Sequence, residues 1–360
     1  MSIKENRIRK KIGIGQLLIP IIALAILLLF NLIRDPGFYS VSISTNNNGN
    51  SVLTGNMISI IDSASELAII AMGMTLVTAS CGGQDISVGA VGTIAGSIFV
   101  KYLSGSSINI GTVLLAAVIC CLVTILFCLF NGTLVSVFKI QPMIATLILF
   151  SCGRSIAYWI VGSATPHIDS PVISAMGMTI PGIPVPTPVF GVLLVGLLLT
   201  VVFRFTTLRL YTESVGVNQG AARLNGINPI AIKLLSFVIL GLCVAVAGII
   251  GTCRMGQVSH KTLLIDIEMD AILAVAIGGN NLGGGRFRIL GSVLGAYIIQ
   301  MLTTTLLAMR VDPVNIKAYK AVVIIIIVVA GSPVVKSKLI TLIDRIRSQK
   351  TAVSASKGVN

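Results

Sequence analysis

The sequence predicts an all-α, polytopic membrane protein with about ten transmembrane helices and both termini in the cytoplasm. Of its 360 residues, 55% are hydrophobic and only 11% are charged, whereas a soluble domain carries about 25% charged residues. So few charges are not enough to cover a globule of this size with a hydrated surface. The composition therefore excludes a soluble enzyme, a disordered chain, a collagen-like chain and a disulfide scaffold.

Ten apolar runs predict the individual helices. The first, 17–33, follows a basic stretch but is not followed by a cleavage site, so we expect an uncleaved span rather than a signal peptide. The run at about 269–282 is shorter than the roughly 20 residues that a full crossing needs. It forms either a complete transmembrane span or a half-helix or re-entrant segment. The other helices are expected at about 58–79, 86–103, 108–130, 142–162, 189–203, 231–251, 289–308 and 318–335.

The basic residues predict the orientation of the chain in the membrane. The net charge is +14, and 18 of the 26 lysines and arginines fall in the expected inner segments, as the positive-inside rule requires. One membrane domain is therefore expected over 1–360, with an inner segment at 1–16, a helical bundle at 17–335 and an inner tail at 336–360. The basic clusters lack interleaved aromatic residues, so we expect the lipid bilayer and no nucleic acid as a partner.

Motifs for catalysis and for cofactors are missing from the sequence. The glycine-rich run 278–286 lacks the Lys-Ser/Thr pair of a phosphate-binding loop. His167 and His260 are isolated, and the seven cysteines contain no C-x-x-C pair. We therefore expect no catalytic residue, no bound metal and no cofactor, so that any energy must come from a partner chain or an ion gradient.

Ionisable residues inside predicted helices are candidates for a polar pathway, because such groups are costly in a bilayer. Asp62 and Glu66 are four residues apart and therefore share one helix face. Arg154 lies within a later helix, and for these three residues a pathway lining and a structural ion pair stay equally open. Asp85, at the break after Gly82-Gly83, and Asn280, in the second glycine-rich run, complete the candidate pathway.

Two small-residue motifs predict close helix contacts. Gly92 and Gly96 form one G-x-x-x-G pair, and Gly291 and Gly295 form another. Glycines four residues apart leave a flat strip that lets helix backbones approach closely. Each pair follows a glycine-rich break, an echo of the kind that internal repeats leave in transporters.

Three motifs resemble those of sugar-importing ABC permeases of the ribose, xylose, arabinose and galactofuranose type. They are Met72-Gly73-Met74-Thr75-Leu76-Val77 with 82–89, the stretch 213–227, and Ile272-Leu273-Ala274-Val275-Ala276-Ile277-Gly278-Gly279 with 284–286. The resemblance covers about 57–330 and is most similar to galactofuranose permeases through 139–142, 145–149 and 213–216. Gln219-Gly220 departs from the usual charged or larger pair.

The resemblance implies a permease that moves a monosaccharide by alternating access. Such permeases form dimers of identical or homologous subunits, bind a cytoplasmic ABC ATPase that holds the ATP, and receive sugar from an extracytoplasmic binding protein. It assigns the contact with the ATPase to Glu213, Gly216, Asn218, Ala221, Ala222 and Gly226. Two alternatives stay open: an ion-coupled transporter that uses Asp62 and Glu66, and an ABC permease for another solute such as branched-chain amino acids.

Overall fold

The computed structural model describes residues 20–45, 51–162, 166–168, 170–180 and 182–331. The predicted segments 1–16 and 336–360 lie outside these residues. The described helices are α1 (Pro20–Arg34), α2 (Asn56–Cys81), α3 (Val88–Ser104), α4 (Ile110–Ser136), α5 (Pro142–Val161), α6 (Pro171–Gly177), α7 (Thr187–Phe205), α8 (Leu208–Val217), α9 (Gln219–Leu224), α10 (Pro229–Met255), α11 (Ile267–Ile277), α12 (Ile289–Ala308) and α13 (Pro313–Gly331).

The helical, polytopic architecture is confirmed at a coarse level. Within the described residues, six helices are long and apolar enough to cross a membrane, namely α2, α4, α5, α7, α10 and α12. α1 and α3 are shorter apolar helices, and α11 has only 11 residues. The count of ten crossings and the location of the termini stay predictions.

The helices α2, α3 and α10 form the core of the bundle, and α10 packs against both α2 and α3. α2 also contacts α12, α7 and α11. α4 packs against α10 and α3, α5 packs against α3, and both leave much of their apolar surface exposed. Buried hydroxyl groups join the helices as well: Thr75 and Ser292 form a 2.6 Å hydrogen bond between α2 and α12. A helix that is buried almost all round belongs in the centre of such a bundle.

Helix boundaries follow the expected local signals. Pro142 and Pro229 begin α5 and α10, where a missing backbone donor costs nothing. Gly82 ends α2 in the left-handed conformation, with φ at 66°, and its amide donates to the Thr78 carbonyl. A residue without Cβ adopts this conformation without the steric cost that other residues carry.

Several short elements lie in segments that the sequence analysis left as loops. The segment between α1 and α2 contains a 3-10 helix at Pro36–Tyr39 and an antiparallel hairpin of β1 (Ser42–Thr45) and β2 (Ser51–Thr54). A further short helix, α6, lies in the proline-rich stretch between α5 and α7. The stretch predicted as one helix-forming segment, 213–226, is divided at Asn218, which ends α8 and caps α9 by accepting a hydrogen bond from the Ala221 amide.

Candidate functional site

An ion triad joins α2 to the end of α10. The Arg254 guanidinium donates to Asp62 Oδ1 at 3.0 Å and to the Asp62 carbonyl at 2.8 Å, and its Nη1 lies 3.4 Å from Glu66 Oε2. All three side chains are at most one-quarter exposed. Asp62 and Glu66 therefore do share one face, and their cationic partner is Arg254 rather than Arg154.

Two cavities meet at this triad. One, of about 390 Å³, is lined by Asp62, Arg254, the start of α2 and the hairpin. The other, of about 260 Å³, lies beyond it and is lined by Glu66, Arg254, Asp270 and Gln300 together with residues 262–265. Because the Arg254 side chain contributes to both walls, it separates an outer chamber from a deeper one.

The segment 257–266 runs from α10 to α11 without forming a helix. Arg154 on α5 donates to the carbonyls of His260, Leu263 and Leu264 at 3.1–3.2 Å, and Thr93 on α3 donates to the Leu263 carbonyl at 3.0 Å. Unwound backbone is tolerated at membrane depth only where its polar groups are satisfied. Arg154 therefore stabilises this segment and is not an ion-pair partner of α2.

Two of the three acidic residues at the start of α11 pair with lysines of one neighbouring helix, α13. Asp266 pairs with Lys317 of α13, and Asp270 pairs with Lys320 at 2.8 Å. Glu268, only 3% exposed, points instead towards α3, where a Cβ at Gly89 would overlap its Oε2. That oxygen has no hydrogen-bond partner in the described part of the chain.

Asp85 lies in the break between α2 and α3 and is fully buried. Its Oδ1 accepts hydrogen bonds from the Ser87 amide at 2.7 Å and the Ser87 hydroxyl at 2.6 Å. Its Oδ2 accepts a hydrogen bond from the side-chain amide of Asn131 of α4 at 3.3 Å. In the same break, the Ile86 amide donates a hydrogen bond to the Thr146 hydroxyl of α5. Asp85 thus holds the break between helices and does not line the two cavities above.

Asn280 holds the second break, between α11 and α12. Its Oδ1 accepts the Arg288 amide at 2.6 Å, and its Nδ2 donates to Ser292 at 2.8 Å. Ser292 in turn bonds Thr75 of α2. Like Asp85, Asn280 is buried and belongs to a structural network rather than to a cavity wall.

The two glycine-rich breaks contact each other and the end of α8. The Gly285 amide donates to the Ala79 carbonyl at 2.9 Å, and a Cβ at Gly82 would lie 2.8 Å from the Gly283 carbonyl. A Cβ at Gly216 would overlap the Ala79 carbonyl and would lie 2.6 Å from the Gly285 nitrogen. We call Ala79, Gly82, Gly216, Gly284 and Gly285 the glycine contact; the three backbones can meet because its four glycines carry no Cβ.

The predicted ATPase-contact residues lie on α8, on α9 and just beyond them. Glu213 pairs with Arg209 at 3.2 Å, Asn218 and Ala221 are exposed, and Ala222 is buried. Gly226 lies in open space with φ at +77°, in contrast to the crowded Gly216.

The four predicted packing glycines lie at helix contacts. On α3, Gly92 and Gly96 face residues 263–264 and Thr252 of α10. On α12, a Cβ at Gly291 or Gly295 would overlap the carbonyls of Gly278 and Ala274 on α11.

Arg254 is the residue that the sequence analysis missed. It was counted only among the outer basic residues, although a lone arginine in the last turn of a long apolar helix is itself a signal of an intramembrane partner. In the part of the chain that the structure describes, no group of three His, Cys, Asp or Glu side chains could hold a metal ion.

Comparisons with known proteins match nearly the whole chain. Residues 56–331 match the family model described as branched-chain amino acid transport system, permease component. The galactofuranose transporter permease protein of Escherichia coli K12 is 37% identical over 96% of both chains. The fructose import permease protein of Bifidobacterium longum NCC 2705 is 35% identical over 91% of each chain. The ribose import permease protein of Haemophilus influenzae is 31% identical over 91% of this chain and 97% of its own. No solved structure matches the chain.

Proposed function

Because the chain belongs to the family of permease components of branched-chain amino acid-type transport systems, we propose that it carries a monosaccharide through the polar chambers beside Arg254. It is the membrane permease of an ATP-driven sugar importer, a multi-pass protein of the bacterial inner membrane. Its relatives are transport subunits rather than enzymes. The observation that carries the proposal is the charged triad between two cavities at one end of an apolar bundle.

Ten crossings with both termini in the cytoplasm fit the lengths of the helices. α11 has 11 residues, and at a rise of 1.5 Å per residue it spans about 16 Å, half of the bilayer core. The non-helical segment 257–266 supplies the remaining depth, since it reaches Thr93 on α3 and Arg154 on α5. Discontinuous helices of this kind mark the substrate path in many transporters.

Carboxylates, a guanidinium and a carboxamide suit a sugar because its hydroxyl groups both donate and accept hydrogen bonds. Asp62 and Arg254 line the outer chamber, and Glu66, Asp270 and Gln300 line the deeper one. We infer that sugar hydroxyls replace part of the triad as the sugar passes Arg254. Asp85, Arg154 and Asn280, which the sequence also suggested for the pathway, support its walls instead.

An ion-coupled mechanism is less well supported. It requires a carboxylate that gains and loses a proton or a sodium ion during the cycle. Asp62 and Glu66 already pair with the guanidinium of Arg254, which occupies the position that a coupling cation would need.

The family implies an ABC ATPase and a sugar-binding protein as partners, and we propose a second permease subunit, identical or homologous, beside this one. α8 and α9, with Glu213, Gly216, Asn218, Ala221, Ala222 and Gly226, are proposed to contact the ATPase. The glycine contact then passes the movement of α8 directly to α2 and to the loop before α12, because rigid backbones in contact move together.

Reconstitution tests the proposal. The permease is placed in sealed vesicles with its ATPase, the binding protein is added outside, and uptake of galactofuranose, fructose and ribose is measured with ATP inside. We expect uptake of one of these sugars that requires all the components. Uptake by the permease alone, driven by a proton or sodium gradient, would show that the ion-coupled alternative is correct.

A further inference from the structure

A third cavity, of about 450 Å³, lies at the opposite end of the bundle from the Arg254 triad. Its walls come from α7, α8 and the loop that leads into α12. Three arginines contribute to it: Arg204 from the last turn of α7, Arg209 from α8, and Arg288 directly before α12. None of the described residues that line the cavity is acidic, and Glu213, one turn along α8, pairs with Arg209.

The cavity has the chemistry of a phosphate site. Arginine binds phosphate through two parallel hydrogen bonds, and the N-terminus of a long helix favours an anion. Ile289 begins α12, a helix of 20 residues whose preceding residue gives no side-chain cap. Arg209 is held in place over the Phe287 ring, with its guanidinium carbon 5.9 Å from the ring centroid, and Phe203 packs on the same ring at 5.7 Å.

The apolar surroundings favour a lipid over a free phosphate ion. Thr200, Phe203 and Arg204 line the cavity from one face of α7, a helix that is mostly exposed towards the bilayer. Leu290, at the rim, is 72% exposed, and Phe205 beside Arg204 is 79% exposed. Arginines next to exposed apolar side chains match a headgroup and its acyl chains, and basic pockets between helices on the cytoplasmic side bind anionic headgroups.

We propose that this cavity binds the headgroup of an anionic phospholipid of the inner leaflet. The headgroup phosphate lies between Arg204, Arg209 and the start of α12, while the acyl chains lie along α7 and Leu290. The site uses the orientation proposed above, in which this end of the bundle is cytoplasmic. The lipid joins α8 to α7 and α12, so it stabilises the region where the ATPase is proposed to act.

The test measures lipid binding to the purified full-length chain by native mass spectrometry and by thermal unfolding. The protein is exchanged into mixed micelles with phosphatidylglycerol or with phosphatidylcholine. We expect preferential retention of phosphatidylglycerol and a higher melting temperature with it. The double variant Arg204→Gln, Arg209→Gln should bind phosphatidylglycerol about tenfold more weakly, a change that corresponds to about 1.4 kcal/mol.

The control is Lys139→Gln with Arg223→Gln, which removes the same charge from exposed positions outside the cavity. It should retain the lipid as the unchanged protein does. Equal retention by both double variants would refute the site, and displacement of the lipid by inorganic phosphate alone would identify a free-anion site instead. Should the glutamine variant not fold, Arg204→Lys with Arg209→Lys tests the same point, with an expected intermediate retention because lysine lacks the planar fork. These measurements need no transport, so their result is independent of the outcome of the uptake assay.

Discussion

The two ends of the bundle are held together by different chemistry. At the end proposed to face outwards, contacts between α2 and α10 run through charged side chains, with cavities on both sides of Arg254. At the end proposed to face the cytoplasm, the closest contacts of α2 with α8 and with the loop before α12 are between backbone atoms, at the glycine contact. Long side chains can exchange one partner for another, whereas backbones in van der Waals contact have no such freedom.

This difference assigns a different task to each end. In the proposed mechanism the outer end opens, because a sugar or water would offer substitute hydrogen bonds to the triad. The inner end would transmit motion, because Gly216 of α8 lies directly against the Ala79 carbonyl. The following substitutions test that division, from the largest expected effect to the smallest.

Gly216→Val should have the largest effect. Its Cβ would overlap the Ala79 carbonyl, so α8 must move away from α2. We expect normal membrane insertion, ATP hydrolysis that no longer responds to the sugar-loaded binding protein, and uptake near background. Gly111→Val on α4 is the control, because a Cβ at Gly111 would meet no atom within 4 Å and its backbone is not left-handed. Equal uptake in both variants would contradict a transmitting role for the glycine contact.

Arg254→Ala should reduce uptake by at least about tenfold and should also lower stability, because losing one partner of a largely buried pair costs about 3–5 kcal/mol. A triple variant, Arg254→Met with Asp62→Asn and Glu66→Gln, removes all the charges. If the triad lines the path, the triple variant regains thermal stability but not uptake. If the triad is only structural, uptake returns together with stability.

Arg154→Lys should cost stability rather than transport specificity. Lysine reaches fewer of the three carbonyls that Arg154 binds, and each hydrogen bond to a charged donor is worth about 1.5–3 kcal/mol. We expect a lower melting temperature in detergent and an unchanged order of preference among sugars. A changed preference with an unchanged melting temperature would place Arg154 in the path itself.

Asp85→Asn should have the smallest effect, about 1 kcal/mol of stability. The side-chain oxygen of the new asparagine still accepts hydrogen bonds from Ser87. The Oδ1 of Asn131 has no partner in the described structure, and it can accept a hydrogen bond from the new amide group when the Asn131 amide rotates. Uptake should stay close to that of the unchanged protein. A strong loss of uptake at normal stability would show that the Asp85 charge is used in transport, as the sequence first suggested.

The sequence predicted those parts of the molecule that depend on local pattern. Apolar runs located the long helices within a few residues, for example α12 at 289–308. Glycine spacing suggested the packing positions on α3 and α12, and the motif at 213–227 located the inner segment. Long-range pairing could not be predicted, because nothing in the spacing of Asp62 and Glu66 identifies Arg254, almost 190 residues away, as their partner.

The glycine contact escaped prediction for a related reason. The echo between 82–83 and 283–285 is visible in the sequence, but similarity does not imply that two segments touch. The hairpin of β1 and β2 was missed because its strands are short and polar, with little alternation. The division at Asn218 was missed because the break is a single residue, marked by a side-chain cap to Ala221 that separates α8 from α9.

Leu264 and Asp266 give the start of α11 an unusual property. Both are non-glycine residues with positive φ, at 49° and 59°, a conformation that costs about 1–2 kcal/mol for each residue. The hydrogen bonds from Arg154 to the neighbouring carbonyls offset this strain in the present conformation. The joint is therefore strained at rest, and this strain lowers the net free energy needed to move it out of the present conformation. An exchange of Asp266 for glycine would remove one part of that strain without changing a residue that lines either cavity.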